Sequence, residues 1–149
     1  MRAVLQRVSR ARVKVGDETV GEIGAGLVVL LGVEQGDSDR DAAAMASKVV
    51  HLRIFEDDRQ NMNRSLLETG GALLVVSQFT LLGDCRKGRR PSFISAMEPA
   101  GAERLCDLFA RRCRELGPEV QTGRFRAMME VELCNSGPVT MLMDTHKAF

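Results

Sequence analysis

Metal-binding residues are scarce in this chain. It holds only two histidines, His51 and His146, and its four cysteines, Cys85, Cys106, Cys113 and Cys134, form no C-x-x-C pair. That spacing argues against a zinc site, and scattered thiols suit a reducing cytosol better than a disulfide framework. Glu56, Asp57 and Asp58 adjoin one another, but neighbouring acids in a loop are ordinarily just hydrated, so neither metal nor cofactor is expected. No apolar run approaches membrane-spanning length, and Met1 to Arg7 reads as neither a signal peptide nor a transit segment. The net charge is +1, which gives no global signal for nucleic acid, so any electropositive site must be local. No Ser-His-Asp or Cys-His arrangement stands out as a nucleophilic constellation. What is left is a chain of 149 residues, 44% hydrophobic and 28% charged. Those figures fit one globular domain over residues 1–149, placed in the cytoplasm.

The pattern that is present mixes strands and helices. Ala3 to Val8 alternates between two faces, and Arg7 shares its face with apolar Ala3 and Leu5. Such an arginine either lies along an edge with its head in water or is held inside to position something polar. Arg12 to Val15 continues the strand pattern, Gly16-Asp17 is a hairpin turn, and Glu18 to Ile23 returns. Leu27 to Val33 is apolar on both faces and predicts a central strand covered on both sides. Gly36-Asp37-Ser38-Asp39 opens a helix whose stripe is Ala42, Met45, Ala46, Val49 and Val50. Leu52 to Phe55 is a short strand candidate, and Glu56 to Asn61 a solvated turn. A second helix runs from Pro99 to the stop at Gly117-Pro118, with Leu105, Phe109 and Cys113 on one stripe. Gln121 to Phe125 reads as a loop and Met128 to Leu133 as a strand. Asn135 to Thr140 interrupts a strand pattern that resumes at Met141. The expected fold is α+β: a mostly antiparallel, barrel-like sheet with two main helices.

Two stretches carry possible chemistry. Gly70-Gly71 and the apolar run Ala72 to Val76 lead into Ser77-Gln78-Phe79-Thr80-Leu81. A buried strand that ends this way brings hydroxyls, an amide and an aromatic to its rim, and its N–H groups can face a ligand as an oxyanion hole does. It can equally be an amphipathic strand end at the surface. Asp84 to Phe93 carries Arg86, Lys87, Arg89 and Arg90 against one acid. Basic runs are commonly solvated loops, but this one follows closely on the polar strand end, which suits phosphate.

Six segments in order along the whole chain together resemble the D-aminoacyl-tRNA deacylase family. They are Met1-Arg2 with Gln6-Arg7-Val8, Gly26 to Val33, Ser77 to Leu81, Lys87 to Phe93, Gln121 to Phe125, and Gly137-Pro138-Val139-Thr140. One departure is Ser136, where the family usually places an acid. The resemblance implies a metal-free homodimer that hydrolyses the ester joining a D-amino acid, or glycine, to the terminal adenosine of tRNA. Ser77, Gln78, Phe79 and Thr80 would line the site. Gly137-Pro138, as a cis dipeptide supported by Arg7, would reach into the partner subunit's pocket and exclude L-amino acids. Arg86, Lys87, Arg89 and Arg90 would meet tRNA phosphates. An aminoacyl ester is already activated, so placing water and stabilising an oxyanion, with amides after Ser77, would suffice. Three other readings compete: a tRNA-binding module without turnover, a hydrolase with Thr80 as nucleophile, and an editing enzyme for a mischarged L-amino acid.

Overall fold

The structure, a computed structural model, describes residues 1–148. Its organising element is β1 (Arg2–Val15), which is 14 residues long. The first half of β1 pairs antiparallel with β3 (Gly26–Gly32), and the second half with β2 (Glu18–Ile23). β8 (Glu130–Asp144) runs antiparallel along nearly the whole of β1. Beyond β3, the parallel strands β6 (Ala72–Ser77) and β7 (Val120–Thr122) extend the sheet. At Gly21 of β2 an added Cβ would lie 2.7 Å from the Thr122 carbonyl oxygen. Only a glycine lets β2 come that close to β7, and this contact curls the sheet into a nearly closed barrel.

Curling buries both faces of β3 and β6. On one face Val28, Leu74 and Val76 join Val8, Val13 and Ile23 inside the curl. On the other, Leu27, Val29, Leu31, Leu73 and Val75 pack beneath α1 (Asp39–His51) and α3 (Pro99–Glu115). This two-sided burial is why both strands read as unbroken apolar runs. The buried residues of α1 are the stripe read from the sequence, and Leu105, Phe109 and Cys113 are buried on α3. The Glu98 carboxylate caps α3 by accepting from the Ala100 and Gly101 amides, and Pro99 occupies a first-turn position whose N–H would have no helical acceptor.

Two local expectations change. Gln121 and Thr122, read as loop, belong to β7; three residues are too few to show a period, and the exposed edge of β6 recruits them. In Leu52 to Phe55 only Phe55 pairs, within a small hairpin of β4 (Phe55–Glu56) and β5 (Met62–Arg64). A four-residue helix, α2 (Leu66–Thr69), closes under Ser65 and Glu68, which satisfy each other's amides. The break at Asn135 to Thr140 is a bulge within β8: Asn135 sits opposite Val8 and Thr140 opposite Gln6, so residues 136–139 leave the ladder beside Arg7.

Candidate active site

β3 and β6 run parallel, so both end on the same side of the molecule. Leu31 stands beside Ser77, and the Gln78 amide donates to the Leu31 carbonyl at 2.8 Å. The chain then turns through a 3-10 segment, Phe79–Leu82. A cleft of about 910 Å³ opens here, lined by Ser77, Gln78, Phe79 and Thr80, by the strand ends Leu31 and Val76, by the start of α3, and by residues 125–129 with Val131. Most of its wall is apolar, with a few polar groups converging on one side, the usual make-up of a small-molecule site.

Those polar groups differ in availability. The Gln78 N–H, expected as a possible oxyanion donor, is spent on Leu31 because it continues the β3–β6 ladder by one residue. The N–H groups of Phe79 and Thr80 open the 3-10 turn, where no carbonyl lies behind them, and meet no acceptor among the described residues. The Gln78 side-chain amide donates to Thr80 Oγ1 at 3.0 Å, which leaves the hydroxyl proton free to donate outward. Among the described residues no histidine, carboxylate or lysine lines the cleft, so none of them sets a base beside the Thr80 hydroxyl. Cys106 does line the cleft, but burial, helped by Asp107 and Glu103, pushes its thiol up to about 12, so it is no thiolate at neutral pH. The arrangement therefore offers fixed donors and a shaped apolar wall rather than a nucleophile.

Arg7 takes the rarer of its two possible dispositions and is buried. Its guanidinium donates to the Ile54 carbonyl at 2.8 Å, the Ser136 carbonyl at 2.9 Å and the Glu56 carboxylate at 3.3 Å. Because the Ser136 contact is made by main chain, the departure at that position leaves the clamp intact. Above it the Gly137-Pro138 bond is cis. An added Cβ at Gly137 would lie 2.9 Å from the Val139 nitrogen and 3.1 Å from an Arg7 nitrogen, and φ is +136°, so the position has no room for a side chain. Gly137 and Pro138 are exposed and do not line this chain's own cleft. Arg7 pairs with Leu27 whereas Ala3 pairs with Leu31, which separates the two groups along β1. The site residues expected from sequence thus fall into two sets that one chain does not bring together.

The basic loop is closed at its base by paired amides between Asp84 and Ser92. Phe93 follows and meets Phe79 edge-on with ring centroids 5.0 Å apart, so the loop stands beside the cleft. Arg86 is turned back on Asp84 through two side-chain contacts of 2.7 and 2.8 Å. These hold the Asp84 carboxyl well below its usual range. Lys87, Arg89 and Arg90 are exposed and make no ion pair among the described residues. Sequence reading missed one polar centre. The Met1 ammonium is buried and pairs with Asp37 Oδ1 at 2.5 Å, and Thr145 and His146 close around it. Asp37, Asp41 and His146 bring possible ligand atoms within 4.8 Å of one another. Asp37, however, is already engaged by the ammonium and by the Glu34 amide. An acid in a helix-opening turn carries no local signal that it has such a partner.

The family model described as D-Tyr-tRNA(Tyr) deacylase matches residues 4–144. A curated relative named D-aminoacyl-tRNA deacylase from Symbiobacterium thermophilum is 58% identical over 149 residues, covering all of this chain and 99% of that protein. One of the same name from Thermus aquaticus is 57% identical over 145 residues, covering 97% and 95%. Among solved structures, the c-Myc DNA Unwinding Element Binding Protein superposes with a TM-score of 0.92 at 38% identity, covering 97% of this chain and 99% of that one. A probable eukaryotic D-amino acid tRNA deacylase, at 20% identity, shares the fold with a TM-score of 0.78 over 95% and 97%. With nearly every residue matched by the family model and more than half identical in full-length relatives, the chain belongs to the D-Tyr-tRNA(Tyr) deacylase family.

Proposed function

We propose that this protein hydrolyses the ester of D-aminoacyl-tRNA, and of glycyl-tRNA, releasing the free amino acid and tRNA in the cytoplasm without metal or cofactor. The observation that carries this reading is the pair of N–H groups at Phe79 and Thr80, unspent among the described residues, beside a hydroxyl held by Gln78 in a cleft whose described lining holds no base. Water attacks the ester carbonyl, and the two amides receive the oxyanion as the tetrahedral intermediate forms. Each well-placed donor is worth roughly 3–4 kcal/mol to such a step. The vicinal ribose hydroxyl relays the proton: it accepts one from the attacking water and gives its own to the departing ribose oxygen as the ester C–O bond breaks, leaving the free amino acid and an intact ribose diol. Thr80 orients water or substrate and forms no acyl bond, since nothing nearby would take its proton.

The enzyme works as a two-fold homodimer in which the second copy's Gly137-Pro138 segment completes this cleft. Two findings support it: the segment is exposed and braced by Arg7, and the cleft of the same chain lacks it. Main-chain oxygens presented there receive the substrate ammonium and occupy the space of an L side chain, while a D side chain points away. Rejection of L rather than grip on D then sets selectivity. Lys87, Arg89 and Arg90 meet tRNA phosphates, with Arg86 contributing what Asp84 leaves free. Lys87, Arg89 and Arg90, unpaired among the described residues, would also suit a second reading, a tRNA-binding module without turnover. Matched D- and L-aminoacyl-tRNA incubated with the protein separate the two. Release of D-amino acid and glycine with L-alanine retained is expected; binding without release, or rapid release of the L form, overturns the proposal.

A further inference from the structure

Among the described residues, Arg126 is the only charged side chain lining the cleft. Its backbone is left-handed, with φ at +61°. It occupies the third position of a turn closed by the Ala127 amide on the Arg124 carbonyl at 3.2 Å, where glycine or asparagine is the comfortable choice. The turn is anchored just before its first residue and again at its second. The Gly123 amide donates to the Val75 carbonyl at 2.9 Å, and Phe125 packs against the main core. Its neighbour in the turn, Arg124, is matched by Glu18 at 2.9 Å. Arg126 has no hydrogen bond or ion pair among the described residues. A rigid turn therefore holds a guanidinium unmatched among the described residues, in an unfavourable backbone conformation, at the wall of a cleft whose other described lining residues are uncharged. Strain of this kind at a cleft is a pointer to function.

We propose that Arg126 binds the phosphodiester on the 5′ side of the terminal adenosine and so seats the nucleotide for hydrolysis. This rests on the function proposed above. The aminoacyl end brings a cation, which a guanidinium would repel. The nearest anion attached to that nucleoside is the phosphodiester, and its oxygens match the planar fork of an arginine.

The test compares D-aminoacyl-tRNA with D-aminoacyl-adenosine carrying a free 5′-hydroxyl. The wild type favours the phosphate-bearing substrate, and Arg126→Ala lowers the ratio of the two kcat/KM values about tenfold, through KM rather than kcat. Arg126→Lys restores part of that ratio. Arg126→Gly, which relieves the backbone, behaves like Arg126→Ala and so separates charge from turn geometry. An equal fall on both substrates, or an unchanged ratio, overturns the assignment. If neither ester is cleaved, the proposed function fails while the contact stays testable by titration with adenosine 5′-monophosphate and adenosine. The wild type should prefer the phosphate and Arg126→Ala should lose the preference. Equal binding of both ligands by the wild type, or stronger inhibition by free D-amino acid that depends on Arg126, refutes the phosphate contact.

Discussion

Replacing Arg7 by methionine keeps most of the side-chain volume and removes the clamp beneath Gly137-Pro138. The cost can be worked contact by contact. The bond to the Ile54 carbonyl is buried, and that to the Ser136 carbonyl is partly buried. Hydrogen bonds from a charged donor contribute about 1.5–3 kcal/mol each. The Glu56 carboxylate is 55% exposed, so that ion pair adds at most about 1 kcal/mol. Loss of about 3–7 kcal/mol follows, and no longer burying a guanidinium offsets roughly 1–3 kcal/mol of it, which leaves a net of about 2–4 kcal/mol. For a chain near 150 residues this lowers Tm by roughly 4–16 °C. Denaturant unfolding with unchanged slope would measure it directly. In the same variant, hydrolysis of D-aminoacyl-tRNA should fall, or L-aminoacyl-tRNA hydrolysis appear, at temperatures where the protein is still folded. A variant as stable as the wild type, with equal chirality, would refute the clamp.

Three further outcomes are expected. Thr80→Val should reduce turnover about ten- to hundredfold and leave residual activity, and mass spectrometry of wild-type enzyme during turnover should find no acyl adduct; a trapped adduct on Thr80 would reverse the assignment. Changing Lys87 and Arg89 together to alanine should weaken different tRNAs about equally and flatten the dependence of binding on salt; an unchanged slope would mean a solvated loop. Because burial pushes the Cys106 and Cys113 thiols up to about 12, only exposed Cys85 and Cys134 should react quickly with a thiol reagent near pH 7.5, and the other pair only on unfolding.

The parts legible in the sequence were those with long-range burial written into a local period. The α1 stripe, the α3 stripe and the unbroken apolar runs of β3 and β6 each reported their own environment. Where two segments must meet before either has structure, the signal vanished. β7 is three residues recruited by the edge of β6, and Asp37 acquires its meaning only when Met1 arrives beside it. The polar rim at Ser77 to Thr80 was visible as an abrupt change in composition. Which amide was free was not, because that depends on Gln78 extending a ladder to Leu31. Arg126 went unnoticed for a similar reason: its isolation is a property of neighbours, and its left-handed backbone has no single-residue signature.

The pairing of β1 with β8 has a consequence for biosynthesis. β1 is complete by residue 15, yet its longest partner begins only at residue 130. At about 5–20 residues per second, translation leaves one rim of that strand waiting for roughly 6–23 s. A bare strand rim is a template for aggregation. Between Arg2 and Val15 the chain places Arg2, Arg7, Arg10, Arg12 and Lys14 with no acid among them, a density of cations that repels a second nascent copy of itself. The strand that finally arrives carries the answering charges: Asp144 meets Arg2, and Glu132 meets both Arg12 and Lys14. The same residues thus guard the nascent chain against its siblings and later set the register in which it closes.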